Sequence, residues 1–277
     1  MALNSVNTNV GALIALQNLQ TTNAELQTVQ SRINTGKKIN SAKDNGAIWA
    51  IAQGQRAEMG ALNAVKDSLA RGQSTVDVAM AAGETVSDLL LQLKEKALAA
   101  KDGGLTSSAR SALNEDFKSI RDQIAKAVSN AEFNGANLLD GSLTNGFKAL
   151  ANASGSSTLD VASQDMSLSG SIVTLTAAQE IDSVTNAATA LSAVNASIAN
   201  VSTALAKLGT GSKSLSTHMT FVGKLQDSLE AGIGNLVDAD LAKESARLQA
   251  LQTKQQLGVQ ALSIANSSTS ILLGLFR

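Results

Sequence analysis

Histidine and cysteine, two residue types that carry much of enzyme chemistry, are almost absent from this 277-residue chain. His218 is the single histidine and there is no cysteine, so a thiol nucleophile or a zinc site built from Cys and His has no ligands to use. We expect His218 to be a helix-surface or core residue. No set of nucleophile, base and orienting group is apparent either. We therefore predict a protein that is not an enzyme and uses no cofactor.

Two short segments resemble ligand sites, but both carry weak signals. The segment GTGSKS (209–214) lacks the adjacent Gly-Lys pair and the preceding strand of a phosphate loop. We predict a turn or a helix interruption there. Asp238 and Asp240 could form a carboxylate pair, but an Asp ahead of a helical segment is typical of an N-cap. Helix capping beside a domain hinge is therefore the prediction for these two residues.

Composition disfavours several other classes of function. The net charge of −1 gives no reason to expect nucleic acid or an anionic membrane as a partner. The first residues, MALNSVNTNVGALIALQNLQ, lack the basic region and the continuous apolar run of a secretory signal.

Proline is absent, although average usage is about 5%. Its absence predicts long helices and fits a chain that is transported unfolded and folds quickly afterwards.

The elements that carry these residues are predicted to be long helices. From Ile48 to Ala97 apolar residues recur in alternating steps of three and four, a heptad seam that predicts a rod of roughly 75 Å. Gly103-Gly104 ends this rod, and Thr106, Ser107 or Ser108 can cap a returning helix. Residues 146–176 then predict two or three small strands, around STLDVAS and GSIVTLT, before helical spacing returns at Ala177. The predicted class is mainly α, with elongated antiparallel helical rods or a coiled coil, a small β-hairpin region and paired terminal helices.

The two ends of the chain share a low content of charge. No charged residue precedes Glu25, and none lies between Lys254 and Arg277. A solvated surface helix would carry Lys and Glu, whereas Asn, Gln, Ser and Thr can be buried at lower cost than ions. The pattern predicts terminal helices that pair with each other and pack against other copies. The residues predicted to form this inner core are Leu3, Val6, Val10, Leu13, Leu16, Leu19, Leu257, Leu262, Ile264, Ile271, Leu272, Leu275 and Phe276.

Three segments resemble bacterial flagellin, the filament subunit of the flagellum, and the short alphaproteobacterial flagellins look nearest. They are LQTVQSRINTGKKINSAKDNGAIWAIAQ (26–53), FNGANLLDG (133–141) and a C-terminal region that begins VDADLAKESARL (237–248). Lys38 and Asn45 depart from the family, which usually has Arg and Asp at these positions. The signature residues are Ile39, Asn40, Ser41, Ala42, Asp44, Phe133, Asn134, Gly135, Leu138, Leu139, Asp238 and Asp240.

The resemblance implies a structural subunit that self-assembles into the extracellular filament for swimming motility. It implies export of the unfolded chain through the flagellar secretion channel. Residues 1–45 would supply the N-terminal half of the inner core with a connecting segment, 46–236 the rod with its β region, and 237–277 the C-terminal half. The implied partners are further copies, sister flagellins, the export apparatus and its chaperone, and the cap and junction proteins, but neither nucleic acid nor membrane.

The family also suggests surface modification and immune recognition. Candidates for O-glycosylation, among which no local motif selects, are Thr158, Ser167, Thr203, Thr210 and Ser216. Toll-like receptor 5 reads a family segment that typically runs Leu-Gln-Arg-Val-Arg-Glu-Leu-Ala, and Leu90–Ala97, LLQLKEKA, matches it here. The two arginines are replaced by Gln92 and Lys94, and the leucine by Lys96. We predict weak or absent recognition, because lysine does not reproduce the planar fork of donors of a guanidinium.

Two alternatives stay open from the sequence. One is a junction protein between hook and filament, which shares the paired ends but forms only a thin collar. The other is a coiled-coil adaptor that forms a discrete oligomer. Growth of long filaments under polymerising conditions would exclude both.

Overall fold

The computed structural model describes the backbone of residues 8–275 and the side chains of residues 8–267. Leu3, Val6 and Phe276 of the predicted inner core lie outside the described residues, as do the side chains of Ile271, Leu272 and Leu275. In the described part the fold is mainly α, as predicted. Its helices are α1 Val10–Thr35, α2 Gly46–Ala100, α3 Ser107–Ser129, α4 Val184–Val237 and α5 Leu241–Leu275.

Two short antiparallel strand pairs follow α3. Strands β1 (Glu132–Phe133) and β2 (Ala136–Asn137) flank a tight turn, and β3 (Phe147–Leu150) pairs with β4 (Thr158–Val161) over four residues. The turn between β1 and β2 holds Asn134 at φ 51° and Gly135 at φ 79°. An Asn-Gly pair with both residues in the left-handed region forms a two-residue hairpin. The sequence prediction missed β1 and β2 because strands of two residues show no alternation.

The chain divides into two compact units. The terminal unit contains residues up to Ala57 together with those from Ser228 onward, and the central unit contains Glu58–Asp227. The three-part division predicted at 45/46 and 236/237 describes functional segments. It stays a prediction, because compactness does not test function.

The heptad seam on α2 is confirmed from Leu62 to Ala97 but not at its predicted start, where Ile51 is 54% exposed and Glu58 is also exposed. Every seam position from Leu62 to Ala97 is buried, including the glycines Gly72 and Gly83. A Cβ at Gly83 would lie 2.7 Å from Leu205 Cδ2, so the missing side chain allows α4 to approach closely. Hydrogen bonds add to the α2–α4 contact, with Gln73 Nε2 donating to Ser212 Oγ at 2.6 Å. The central unit thus buries this part of the α2 seam within one copy.

The predicted interruption at residues 209–214 is wrong, because α4 runs without a break from Val184 to Val237. Gly211 has a packing role instead. A Cβ there would lie 2.9 Å from Val161 Cγ1, so this glycine lets the β3–β4 hairpin pack on the helix. A glycine inside a helix costs about 1 kcal/mol, which helix packing can offset.

The strand predicted in GSIVTLT (170–176) is also wrong. Ser197 Oγ of α4 accepts a hydrogen bond from the Thr174 amide at 3.0 Å, and Asn200 Nδ2 donates to the Ile172 carbonyl at 3.2 Å. Side chains of α4 therefore satisfy backbone groups that a neighbouring strand would otherwise pair. Val173 and Leu175 are fully buried, which explains the alternating pattern in the sequence. The helix predicted from Ala177 begins later, at Val184.

Candidate assembly surface

Helices α1 and α5 form an antiparallel pair in the terminal unit. Asn9 Nδ2, at the start of α1, donates to the Ala265 carbonyl late in α5 at 2.7 Å, and Arg32 meets Glu244 at the opposite end of the pair. Gly258 of α5 allows close approach, since a Cβ there would lie 3.3 Å from Leu19 Cδ1. The pairing that was predicted from the charge-poor ends is therefore present in the described residues.

Polar contacts fix the register of this pair. Gln255 Nε2 donates to Asn23 Oδ1 at 2.7 Å, and Arg247 lies 3.9 Å from Glu25. Sequence reasoning missed Arg32 and Glu244, which form an ion pair at 3.1 Å with side chains only 30% and 12% exposed. Periodicity of the apolar residues carries no information on polar partners that are distant in the chain. An available signal was that charges are scarce in these helices.

The packed core of the pair lies near Arg32 and Glu244. Leu26, Val29 and Leu251 are buried there, with Ile33 and Leu248 packed against them. Toward the chain ends the aliphatic residues are increasingly uncovered, with Leu257 59% and Ile264 71% exposed. Leu19 and Leu262 are half-buried. The other large aliphatic residues exposed on these helices include Val10, Leu13, Ile14, Leu16 and Val259.

The loop between α1 and α2 holds the first family signature. Asp44 Oδ2 accepts hydrogen bonds from the amides of Ser41 at 2.9 Å and Asn40 at 3.0 Å, and from the Ser41 hydroxyl at 3.1 Å. These hydrogen bonds lower the pKa of the Asp44 carboxyl from its ordinary value, and the bond from the Ser41 amide has the largest effect. Asp44 is exposed, so its role is to shape the loop. Ala42 in the same turn is also exposed.

The loop also docks onto the chain between α4 and α5. Ile39 is buried against Ala52, Ile233 and Val237. The Lys38 amide donates to the Val237 carbonyl at 2.8 Å. The two signature regions, far apart in sequence, thus meet inside the terminal unit.

Asp240, and not Asp238, caps α5. Its Oδ1 accepts hydrogen bonds from the amides of Ala242 at 3.0 Å and Lys243 at 3.1 Å. Asp238 forms a β-bridge with Lys37. Thr106 similarly caps α3, with its hydroxyl accepting from the Ala109 amide at 3.2 Å.

The second signature, 133–141, stabilises the central unit. Phe133 is half-buried, and Asn134 and Gly135 form the exposed turn. Leu138 and Leu139 are fully buried. Their carbonyls accept hydrogen bonds from the amides of Gln164 and Met166, at 2.7 Å and 2.8 Å.

The remaining candidates are dispersed over the central unit. His218 is half-buried, and its Nε2 lies 2.8 Å from the Ala151 carbonyl oxygen, within hydrogen-bonding distance. No group of three or more His, Cys, Asp or Glu that could hold a metal ion occurs in the part of the chain that the structure describes. Among the glycosylation candidates Ser167 is half-buried, whereas the other four are exposed: Thr158, Thr203, Thr210 and Ser216.

Comparison with known proteins identifies the family. The family profile described as the bacterial flagellin N-terminal helical region matches residues 6–144, and that of the bacterial flagellin C-terminal helical region matches residues 191–276. The flagellin FljM of Caulobacter vibrioides is 61% identical over all of both chains. A flagellin of Brucella melitensis is 40% identical over 99% of each. A solved structure of a putative flagellar hook-associated protein from Vibrio parahaemolyticus, 17% identical, covers 70% of this chain and 100% of its own with a TM-score of 0.59.

The chain therefore belongs to the bacterial flagellins, a family of structural proteins, and its high-identity relatives include alphaproteobacterial flagellins. It is a structural subunit of the flagellar filament, the extracellular part of the flagellum. Within the described residues, no helix is both long enough and apolar enough to cross a membrane. The likeness to the hook-associated protein concerns the fold alone.

Proposed function

We propose that the α1–α5 pair forms the inner core of the filament by packing its exposed aliphatic residues against other copies. The observation that carries this proposal is the combination of exposure and absence of charge. Ile264, Leu257 and Leu13 are 71%, 59% and 57% exposed in one copy, on helix segments without Lys, Arg, Asp or Glu. Burial of such side chains contributes about 1.5 to 3 kcal/mol each.

A pair of polar substitutions tests the inner core. Leu257→Asn combined with Ile264→Asn leaves the charge unchanged and alters side chains that have little cover within one copy. We expect a folded monomer that forms no filaments at wild-type concentrations. The matched control is Ile51→Asn with Val184→Asn, at residues 54% and 40% exposed on other helices. Normal filament growth of the Leu257 and Ile264 variant, seen by electron microscopy, would contradict the proposal.

We further propose that the chain leaves the cell unfolded through the flagellar secretion channel, with a chaperone holding it beforehand. The absence of proline from the sequence supports rapid refolding at the filament tip, since no slow prolyl isomerisation delays it. Fusion of a very stable domain to the chain should block export if unfolding is required. Secretion of that folded fusion at the wild-type rate would contradict this proposal.

Recognition by Toll-like receptor 5 is expected to be weak. Gln92 and Lys94 are exposed in place of the two arginines, and Lys96 Nζ pairs with Asp116 at 2.6 Å. Loss of a central interface anchor costs about 2 kcal/mol or more, or roughly thirtyfold in affinity. A receptor-reporter assay with purified monomer measures this. The control variant, Gln92→Arg with Lys94→Arg, should raise activation. Full activation by the unaltered chain would refute the prediction.

A further inference from the structure

One face of α2 in the central unit is acidic. Asp67, Asp88 and Glu95 recur at heptad spacing, and Asp77 and Glu84 are one heptad apart in the neighbouring column of the same helix. All five side chains are exposed. The intervening positions of these two columns hold no Lys or Arg; they are Ala70, Ser74, Ala81 and Leu91.

The outward face of α4 in the same unit is basic. Lys207, Lys213 and Lys224 are exposed, and no Asp or Glu occurs between Asp182 and Asp227. Most exposed positions around these lysines carry small side chains, with Phe221 at 57% exposure as a large exception; the small ones include Ser202, Thr203, Ala206, Thr210, Ser214, Ser216, Thr217 and Thr220. Small side chains let another helix approach closely, because interaxial distance depends on the residues at the contact.

Among the described residues, the two faces lack charge partners. No ion pair within 4 Å among the described residues includes any of these five carboxylates or three lysines. The carboxylate of Asp77 accepts a hydrogen bond from the side-chain amide of Gln73 at 2.8 Å. The cations of α2 in the central unit, Lys66, Arg71, Lys94 and Lys96, lie outside the two acidic columns, whereas α4 carries its lysines with no carboxylate before Asp227.

We propose that the acidic face of α2 docks on the basic face of α4 of a second copy. Such a contact joins two different patches and is therefore heterologous, leaving each copy with one unused acidic and one unused basic face. This contact can repeat without limit, as a filament requires, and complementary charges would set its register and suppress like-face pairing. The inference rests on the proposed self-assembly and adds a contact distinct from the α1–α5 pair.

The contact also bears on modification of the subunit. Thr203, Thr210 and Ser216 lie among the small side chains of the basic face. A glycan on any of them would prevent close approach of α2. We therefore expect O-glycans, where present, at Thr158 or elsewhere off this face.

Charge reversal tests the proposal. The basic-face variant is Lys207→Glu, Lys213→Glu and Lys224→Glu; the acidic-face variant is Asp77→Lys, Glu84→Lys and Asp88→Lys. We expect each alone to raise the critical concentration for polymerisation about tenfold, from three surface pairs lost and replaced by like charges. The control, Lys43→Glu, Lys101→Glu and Lys126→Glu, changes net charge as much as the basic-face variant does, at exposed lysines off α2 and α4, and should stay within about twofold of wild type.

Two restorations make the test specific. A chain with all six reversals has both faces exchanged in sign and should polymerise near the wild-type concentration. An equal mixture of the two triple variants should copolymerise where neither does alone. Circular dichroism of each monomer verifies folding.

The inference is overturned if the basic-face variant polymerises like the control, or if the six-fold variant and the mixture both fail while the monomers are folded. Normal filaments from the Leu257 and Ile264 variant would instead refute the inner-core proposal alone.

Discussion

The central unit and the α1–α5 pair contain similar aliphatic side chains but differ in how far they bury them. In the central unit Leu69, Leu90 and Leu93 are fully buried, whereas Leu13 and Ile264 of the pair are more than half exposed. The difference is in the number of neighbouring elements. The seam of α2 is covered by α4. In the half of the α1–α5 pair nearer the chain ends, each helix packs only against its partner among the described residues. A seam that is covered within the chain stabilises the monomer, and one that is left uncovered drives association.

Removal of the last twelve residues, 266–277, should have the largest effect on the difference between the two regions. We expect no filaments, because the deletion removes five apolar residues, Ile271, Leu272, Leu273, Leu275 and Phe276, from the proposed inner core. Thermal unfolding of the central unit should be unchanged. Electron microscopy and circular dichroism of the truncated protein measure the two effects. Normal filaments would show that the tail is dispensable.

A matched pair of leucine truncations sharpens the comparison. Leu90→Ala in the central unit should lower the free energy of unfolding by about 3 kcal/mol, because Leu90 is 0% exposed. Leu257→Ala, at 59% exposure, should change it by less than about 0.5 kcal/mol but should weaken polymerisation. Urea denaturation of the monomer gives both values. Equal destabilisation by the two substitutions would contradict the contrast.

Hydrogen exchange of the monomer should separate the two regions. We expect fast exchange over residues 10–34 of α1, because helices without cover on a second face are marginal in water. Amides of the buried α2 seam, such as Leu69 and Val76, should exchange slowly. Polymerisation should then slow exchange in the first region only. Strong protection of residues 10–34 in a verified monomer would count against this prediction.

The smallest expected effect concerns Asp44. Its pKa in the folded chain lies below the ordinary value of 3.8, so the folded state favours the carboxylate. The stabilisation is therefore present above about pH 4 and is lost as pH falls through the lowered pKa. Asp44→Asn should remove this acid-side dependence and speed amide exchange at Asn40 and Ser41. A variant with the wild-type pH profile would show that the three hydrogen bonds do not favour ionisation.

Much of this molecule follows from local sequence. The buried positions from Leu62 to Ala97 follow from heptad periodicity, because a helix places every third or fourth residue on one face. Thr106 was among the predicted caps because its hydroxyl can accept from a nearby amide. The charge-free ends likewise indicated the α1–α5 pair. Each of these properties depends on residues within a few turns of one another, or on composition.

Tertiary structure decided the features that depend on residues distant in the chain. Residues 170–176 alternate in polarity like a strand. Ser197 and Asn200 instead form hydrogen bonds with backbone groups of this segment, so these groups do not pair with a neighbouring strand. Gly211 is typical of a helix break in the sequence, yet it lies within α4, where Val161 packs in the space that a Cβ at Gly211 would occupy. Arg32 finds Glu244 only when the two ends of the chain meet. Periodicity specifies which face of an element is apolar, but a backbone hydrogen bond or a side-chain contact is fixed only by the partner that the fold brings to it.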